Sequence, residues 1–225
     1  MDERKKAILR HVLKMHVLTG EPVGSEYLAE QSGLGVSSAT VRSELLALED
    51  AGLLSHPHTS AGRVPTEAGY RFYVEEMMSP AVSEKAARSL RSSLRRSARL
   101  DTYKEMAKTL SELTDSAVMV GLDSSSFFYT GLSRLFQKPE FNDREFLSGV
   151  AEVIDRFDEI AEELFELAEE TPRVLLGEDN PLGEMCGMVI VRIGQARQAK
   201  VCGIFGPMRM DYDRAVGLLQ VLISI

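Results

Sequence analysis

Apolar residues recur at helical spacing near the start of the chain and predict two short helices. The first helix extends from about Glu3 to Leu18, and its apolar stripe consists of Ile8, Leu9, Val12, Leu13 and either Met15 or Val17. The sequence Gly20-Glu21-Pro22 ends this helix. Ser25 is expected to cap a second helix that reaches about Ser32 and turns Tyr27 and Leu28 inward.

A third helix follows the turn Gly33-Leu34-Gly35, and its two faces differ in character. Ser37 and Ser38 offer a hydroxyl for its N-cap, while Val41, Leu45 and Leu48 keep helical spacing and predict one buried face. The opposite face carries small or hydrogen-bonding groups, so a DNA duplex can come close and its base edges can meet side chains. The candidate DNA-binding residues of this helix-turn-helix are Ser25, Ser37, Ser38, Ala39, Thr40, Arg42 and Ser43.

A polar segment after the third helix predicts a wing, a two-stranded ribbon that contacts DNA. Ala51-Gly52 ends the helix, and Leu53-Leu54 then pack inward. The turn from His56 to Arg63 presents hydroxyls, backbone amides and one arginine to phosphates or a minor groove. The candidate DNA-binding residues of the wing are His58, Thr59, Ser60, Gly62 and Arg63.

A closing helix completes a first domain over residues 1–80. Thr66 is expected to cap this helix, and its aromatic side chains fold back over the three-helix core. Met78-Ser79-Pro80 ends the domain, because a proline disfavours helical backbone at the residue before it. The order helix, helix, turn, helix, ribbon predicts a winged helix-turn-helix DNA-binding domain.

A long helical pattern then extends from Ser83 to about Thr114 and predicts a connecting helix over residues 81–114. At about 1.5 Å per residue it would span on the order of 45 Å, enough to connect domains or to pair with a second copy. Its first half is basic, with no acidic residue between Glu84 and Asp101. The basic side chains are Lys85, Arg88, Arg91, Arg95, Arg96 and Arg99. They form a solvated face, bind phosphates without sequence preference, or face the acidic second half.

The remaining residues, 115–225, alternate between strand and helix patterns. Five strands are predicted at Ser116–Leu122, Ser126–Thr130, Arg173–Leu176, Gly187–Ile193 and Ala199–Phe205. A helical pattern in two pieces covers 143–168, a loop at 195–198 joins the last two strands as a hairpin, and Asp211 caps a final helix. The chain is therefore assigned to the α+β class, with a C-terminal antiparallel sheet that has helices on one side.

The third helix and the wing contain the sequences SSATVR, LEDAGLL, HTSAGRVPT and GYRFYV. Two further stretches are GLSRLFQKPEF at 131–141 and GPMRMDY at 206–212. These segments, in this order, resemble the family of the heat-inducible transcription repressor HrcA. The resemblance covers both ends and the middle of the chain, so the chain is identified as a member of that family.

The resemblance implies a repressor of heat-shock genes that binds an inverted-repeat DNA operator as a homodimer. It also implies a GAF-like C-terminal domain and a chaperonin that helps to maintain the active fold. The family's inserted dimerisation domain is missing between Val118 and the 131–141 stretch, which makes this chain an abbreviated member. We therefore expect the dimer interface on the long helix and on the apolar C-terminal helix.

Ser43 occupies a position where the family pattern commonly has asparagine. An asparagine can contact adenine through two hydrogen bonds, whereas a serine offers one hydroxyl. Operator specificity here is therefore expected to be relaxed by about 1 to 3 kcal/mol, or shifted to another sequence.

The net charge of −8 is unevenly divided along the chain. Residues 1–108 contain 16 Lys and Arg against 14 Asp and Glu, a net charge of +2, whereas residues 109–225 contain 10 against 20, a net charge of −10. The mildly positive first half is compatible with DNA binding, although its electrostatic attraction is expected to be modest.

Other functional classes find little support in the sequence. It contains no Walker loop, HExxH or GxSxG motif, so no enzyme and no cofactor is predicted. Cys186 and Cys202 lie in apolar runs that are typical of buried residues rather than of a disulfide or a metal pair. The four histidines lack partners at zinc-binding spacing. Asp211 and Asp213 form either a metal or phosphate site or, as we favour, the start of a capped helix after a Gly206-Pro207 turn, with Arg209 paired to a carboxylate.

The chain also lacks an apolar tract of membrane-spanning length, and its start predicts no signal peptide, so a cytoplasmic protein is expected. A ligand-sensing regulator with a small-molecule site in the GAF-like domain remains the alternative function. A polar pocket in that domain would favour this alternative, whereas a tightly filled sheet face would argue against it.

Overall fold

The chain forms two compact units, Met1–Met78 and Ser79–Ile225. The structure is a computed structural model that describes residues 1–57, 62–94, 100–123, 126–194 and 200–225, without the side chains of residues 100, 145, 146, 153, 154, 157 and 158. The secondary structure mixes helices with antiparallel strands, as predicted for the α+β class.

The first unit consists of four helices and a two-stranded ribbon. These elements are α1 (Glu3–Thr19), α2 (Ser25–Gln31), α3 (Ser38–Asp50), β1 (Leu54–Ser55), β2 (Val64–Pro65) and α4 (Glu67–Glu76). The two strands pair antiparallel, Leu54 with Pro65 and Ser55 with Val64. Apolar side chains from all four helices and from β1 fill the core, among them Ile8, Leu9, Leu28, Val41, Leu45, Leu48, Leu54 and Tyr70.

Two of the three predicted helix caps in this unit are present. Ser37 accepts a hydrogen bond from the Thr40 amide at 3.2 Å, and Thr66 accepts one from the Gly69 amide at 3.1 Å. Each of these bonds satisfies an amide that the first turn of a helix cannot satisfy by itself.

The predicted cap at Ser25 is wrong, because α2 begins one residue earlier than expected. Val23 pairs with Arg63 through both backbone groups and is held extended, so Gly24 becomes the N-cap and Ser25 the first helical residue. The inward orientation of Tyr27 is also wrong, since its side chain is 43% exposed. In a helix of two turns Leu28 occupies the inward position, and Tyr27 lies about 100° around the axis from it.

The second unit contains a five-stranded sheet. Its helices are α5 (Glu84–Leu94), α6 (Leu100–Thr114), α7 (Leu132–Leu135), α8 (Arg144–Asp155), α9 (Phe157–Leu167) and α10 (Tyr212–Ile223), with 3-10 helices at Pro139–Asn142 and Gly177–Asp179. Its strands are β3 (Ala117–Asp123), β4 (Ser126–Thr130), β5 (Arg173–Leu176), β6 (Cys186–Ile193) and β7 (Lys200–Pro207). They are ordered β4-β3-β7-β6-β5, and every neighbouring pair is antiparallel. The five predicted strands are all present, and β6 pairs with β7 as predicted.

Helices cover both faces of this sheet, so the prediction of helices on one side is wrong. A side chain at Gly121 would meet Phe165 of α9, whereas one at Gly187 would meet Tyr212 of α10, which lies on the opposite face. The central strands β3, β6 and β7 are buried along nearly their whole length. Continuous apolar strands of this kind are typical of sheets that are covered on both faces.

The predicted single connecting helix is also wrong, because its sequence forms two helices that pack against each other. The buried residues of α5 include Ala86, Ala87 and Leu90, and α5 contacts both α6 and α10. Met106 and Leu110 of α6 are fully buried as well. Both helices belong to the second unit. The apolar stripe of a 45 Å helix would have stayed in water, whereas two shorter helices bury it.

The apolar C-terminal helix α10, where part of the dimer interface was expected, packs its apolar residues inside the second unit. Seven of its residues are buried in the second unit, namely Tyr212, Ala215, Val216, Gly217, Leu218, Leu219 and Leu222. Asp211 caps α10 as predicted and accepts a hydrogen bond from the Arg214 amide at 3.0 Å.

Candidate nucleic-acid interface

The first turns of α3, together with its cap, carry half of the predicted DNA-binding residues. Four of them are exposed side by side at the start of the helix, Ser38, Ala39, Arg42 and Ser43, whereas Val41, Leu45 and Leu48 are buried on the other side. Ser37 is exposed at the cap, and its hydroxyl lies 3.0 Å from that of Thr40. These predicted residues therefore share one surface.

Leu46 extends this surface by one helical turn beyond Arg42 and Ser43, and the sequence analysis missed it. Its side chain is 46% exposed. The signal was its spacing, since Leu46 follows Arg42 by four residues and does not belong to the series Val41, Leu45 and Leu48. An apolar group at this place suits contact with the methyl group of thymine.

Ionic contacts with α1 fix α3 from the side away from the exposed face. Glu44 lies 3.3 Å from Lys5 and 3.6 Å from Arg4, and its side chain is mostly buried between these contacts. Lys5 also pairs with Asp2, the N-cap of α1, at 2.8 Å. These pairs join the start of α1 to the middle of α3 and add to the apolar packing between the two helices.

Glu49 near the end of α3 holds both sides of the ribbon. Its carboxylate hydrogen-bonds to His56, directly after β1, and pairs with the guanidinium of Arg63, directly before β2. The two Arg63 nitrogens involved lie 2.8 Å and 2.7 Å from Glu49 Oε2. The hydrogen bond from His56, followed by that from Arg63, lowers the pKa of the Glu49 carboxyl below its ordinary value of 4.5.

This arrangement differs from the expectation for Arg63, which was to present its charge outward. The Arg63 side chain is only 18% exposed because it lies against Glu49. Its backbone bonds to Val23 in both directions at 2.9 Å, which joins the ribbon to the segment before α2. Arg63 therefore stabilises the base of the ribbon in this structure.

Gly62 is required at its position for steric reasons. A Cβ atom there would overlap the Val23 carbonyl group and lie 2.8 Å from the Gly24 nitrogen. The predicted DNA-binding residues His58, Thr59 and Ser60 lie outside the described residues. Ser25 is half-buried at the start of α2.

The charge of the first unit is unusual for a DNA-binding surface. Residues 1–78 contain eight Lys and Arg against eleven Asp and Glu, a net charge of −3. The positive balance of the first 108 residues is thus located in residues 79–108, which contain eight basic residues against three acidic ones, a net charge of +5.

In the second unit, Arg209 and Glu140 join the two sequence stretches 131–141 and 206–212. Arg209 binds the Glu140 carboxylate through Nε and through Nη2, the latter at 3.0 Å from Oε2. Their side chains are 7% and 26% exposed. The predicted pairing of Arg209 with a carboxylate is therefore confirmed. The turn lies later than predicted, because β7 continues through Gly206 and Pro207.

Structural roles also account for the two aspartates near this point. Asp211 caps α10, and Asp213 accepts a hydrogen bond from the Ser79 amide at 2.7 Å. Within the described ranges, no group of three or more His, Cys, Asp or Glu residues could hold a metal ion.

The two cysteines are free and buried, as predicted. Burial raises the pKa of both thiols to about 12. Cys186 belongs to the apolar core between the sheet and α9, whereas Cys202 pairs with Val191 and Val120 on the other face of the sheet. The sheet itself therefore separates the two sulfur atoms.

Both faces of the sheet are filled with apolar side chains. The face toward α8 and α9 includes Met119, Met188, Ile190 and Phe205, each at most 2% exposed. Asn180, buried beside this core, already bonds to the Cys186 carbonyl and the Leu182 amide. This tight filling argues against the small-molecule site of the alternative prediction.

No helix in the described part of the chain is long and apolar enough to cross a membrane.

Comparisons with known proteins point to one family. A family model described as the HrcA protein C terminal domain matches residues 71–216. The heat-inducible transcription repressor HrcA of Moorella thermoacetica is 56% identical over 81 residues, which cover 36% of this chain and 24% of that protein. The protein of the same name from Desulfitobacterium hafniense is 37% identical over 143 residues, which cover 62% of this chain and 41% of that protein.

The chain thus aligns with about a quarter to two fifths of the length of these relatives. A crystal structure described as that of a hypothetical protein matches 100% of this chain and 97% of its own, with a TM-score of 0.78 at 16% identity, and so shares the fold. The five-stranded antiparallel sheet of the second unit fits the GAF-like C-terminal domain of the matched family. With the family model matching well over half of its residues, the chain belongs to the family of the heat-inducible transcription repressor HrcA.

Proposed function

We propose that this protein is a transcriptional repressor of heat-shock genes that binds an inverted-repeat DNA operator as a dimer. The observation that carries the proposal is the exposed face of α3, where Ser38, Ala39, Arg42 and Ser43 lie together above a buried apolar stripe. The relatives named as heat-inducible transcription repressors support it. The first unit then acts as a winged helix-turn-helix, with α3 as the recognition helix.

Within α3, the proposal assigns different tasks to different side chains. Arg42 is exposed and can donate two parallel hydrogen bonds to guanine, the commonest specific contact between a protein and a base pair. Ser38 and Ser43 can hydrogen-bond to bases or phosphates, and Ala39 leaves room for the duplex. Ser37 and Thr40 lie at the helix start, where backbone amides attract a phosphate group.

The ribbon is proposed to contact the DNA backbone through His58, Thr59, Ser60 and the backbone of Gly62. The position of the ribbon depends on Glu49, which holds His56 and Arg63 on its two sides. Arg63 can bind a phosphate only if its guanidinium gives up the ion pair with Glu49. Its replacement by alanine should therefore weaken binding to all DNA sequences and also loosen the ribbon.

A dimer follows from the proposed operator, because two-fold symmetric DNA is bound best by a two-fold symmetric protein. The apolar face of α10 is already covered within the second unit, so an interface there is limited to outward residues such as Ile223, which is exposed. Sedimentation equilibrium of the wild type and of Ile223→Asp tests this placement. An unchanged dimer in the variant would exclude Ile223 from the interface.

Family membership also suggests that a chaperonin maintains the active fold. The expected behaviour is that protein diluted from urea regains operator binding more fully with chaperonin and ATP than without them. Equal recovery of operator binding with and without chaperonin would contradict a role of the chaperonin in maintaining the active fold.

The experiment that tests the proposed function is a titration of wild type and Arg42→Ala against an inverted-repeat operator and a scrambled duplex. The loss of one bidentate base contact costs about 1 to 3 kcal/mol, which is a loss of roughly 5-fold to 150-fold in operator affinity. Binding to the scrambled duplex should change much less, because it depends on phosphate contacts.

Arg156→Ala provides the matched control, since Arg156 is an exposed arginine of the second unit whose described ion pair is with Glu159. It should bind both duplexes like the wild type. Equal, weak and steeply salt-dependent binding of the wild type to both duplexes would contradict the proposal.

A further inference from the structure

The basic residues of the chain are concentrated outside the unit that carries the proposed recognition helix. A protein binds DNA mainly by neutralising phosphates with Lys and Arg, yet the first unit has a net charge of −3. The largest basic excess of the chain follows it directly. Between Lys85 and Arg99 there are six Lys and Arg residues and no acidic residue.

The described part of this basic segment is α5, and it presents its charges outward. Lys85 and Arg88 are exposed, and Arg91 is half-buried. Ala86, Ala87 and Leu90 form the buried side of the helix and fix its rotation against α6 and α10. The Arg88 side chain bonds through Nε to the Glu84 carbonyl of its own helix at 3.2 Å, which leaves its outer nitrogens available.

The acidic helix α9 does not neutralise this helix. The exposed glutamates of α9 are Glu159, Glu162, Glu163 and Glu166. They lie over the sheet face that contains Met188 and Phe205, whereas α5 packs in the layer with α10 on the opposite face. Among the described residues, Lys85, Arg88 and Arg91 form no ion pair with a carboxylate. For Lys85, Arg88 and Arg91, the position of α5 thus argues against the hypothesis that these side chains face acidic residues of the second half. Arg95, Arg96 and Arg99 lie outside the described residues.

We infer that the outer face of α5 is a second DNA-binding surface that contacts backbone phosphates without sequence preference. The inference rests on the proposed function for the choice of DNA as partner. A duplex carries one negative charge for about every 1.7 Å of its axis, so phosphates flanking the operator are abundant. The recognition helix selects the site, and α5 supplies attraction that the acidic first unit lacks.

The test replaces Lys85, Arg88 and Arg91 by glutamine in the full chain and measures DNA affinity from 50 to 300 mM salt. Each lost phosphate contact should reduce the slope of log K against log salt concentration by about 0.9, so the expected reduction is about 2 to 3. Operator and scrambled duplex should both be bound roughly 10-fold or more weakly at low salt, with their affinity ratio unchanged.

The matched control changes the same number of charges on other parts of the second unit. It is the triple variant Arg144→Gln, Arg156→Gln and Arg173→Gln, in which all three arginines are exposed. This control should keep the wild-type salt slope. The pair Lys85→Gln and Arg88→Gln, both at exposed positions, gives a second variant should the triple variant lose its far-UV circular dichroism.

An unchanged salt slope in the α5 variants would overturn the inference, as would a slope that falls equally in the control. A variant that is monomeric where the wild type is dimeric would overturn it too, because α5 would then bind a second copy of the chain. Failure of the proposed function can be distinguished from failure of this inference. A wild type without operator preference still has a measurable salt slope on scrambled DNA, and that slope tests α5 alone.

Discussion

Removal of the Glu140 carboxylate should destabilise the second unit strongly. Glu140 receives two hydrogen bonds from Arg209, whose side chain is 7% exposed. In Glu140→Ala the guanidinium would keep its buried position but lose this carboxylate, and the loss of a counter-charge is costly for a desolvated charge. The two sequence stretches 131–141 and 206–212 would lose the ion pair that joins them.

The expected magnitude follows from the burial of the two partners. Breaking a fully buried ion pair costs about 3 to 5 kcal/mol, whereas exposed pairs contribute about 0 to 1 kcal/mol. Because Glu140 is 26% exposed, water can partly replace it, and we expect a loss of about 2 to 3 kcal/mol. With a urea dependence of about 2 kcal/mol per molar, the unfolding midpoint falls by about 1 to 1.5 M.

Thiol reactivity measures this loss in the second unit alone. The only two cysteines of the sequence, Cys186 and Cys202, are both buried in that unit, so a brief pulse of alkylating reagent at each urea concentration labels its unfolded form. Glu159→Ala is the control, because Glu159 pairs with Arg156 at the surface, where their side chains are 63% and 68% exposed. This substitution should lower the free energy of unfolding by less than about 0.5 kcal/mol. A midpoint for Glu140→Ala within experimental error of that control would refute the reasoning. If Glu140→Gln, in which the side chain is polar but uncharged, were as stable as the wild type, the reasoning would be refuted as well.

Three further predictions concern the ribbon and the thiols. Gly62→Ala should expose the ribbon amides to hydrogen exchange by forcing the chain away from Val23, whereas Gly149→Ala, in a helix with open space around it, should be neutral or stabilising by up to about 1 kcal/mol. Because the pKa of Glu49 is lowered in the folded protein, its contribution to stability is complete above its ordinary value of 4.5 and is lost as the pH falls through the lowered value. Acid should therefore lower the protection factor of the Val23 amide, which corrects its exchange rate for the intrinsic effect of pH, more in the wild type than in Glu49→Gln, and parallel behaviour would contradict this. Cys202, with a pKa of about 12, should resist alkylation at pH 8 in the native protein, and rapid labelling without urea would be inconsistent with its burial.

Local signals in the sequence were sufficient for much of the fold. The caps at Ser37, Thr66 and Asp211 were predictable because each side chain bonds to an amide three residues away. Strands such as β5 were predicted at their observed bounds because a short apolar run between turn residues has few stable conformations other than a strand. The common face of Arg42 and Ser43 likewise follows from helical periodicity.

Features that depend on residues far apart in sequence were not predictable in the same way. Nothing in the local pattern of Arg63 indicates that Glu49, fourteen residues earlier, would hold its guanidinium. The division of residues 83–114 into two helices depends on α10, more than a hundred residues later. The same holds for the sheet, where the continuous apolar run of β6 indicates burial but does not say which helices cover each face.

The strand order β4-β3-β7-β6-β5 has a consequence for synthesis of the chain on the ribosome. The strand β7 lies between β3 and β6, and Ala117 of β3 pairs with Phe205 of β7. The sheet therefore lacks its middle until residue 207 has been translated, and until then β3 and β6 have long unpaired edges and uncovered apolar faces. The first unit is complete in sequence by residue 78 and can fold much earlier. A nascent chain of this topology exposes unpaired apolar strands from the synthesis of β3, which ends at Asp123, to that of β7, which ends at Pro207, and such exposure is the condition under which molecular chaperones engage their clients.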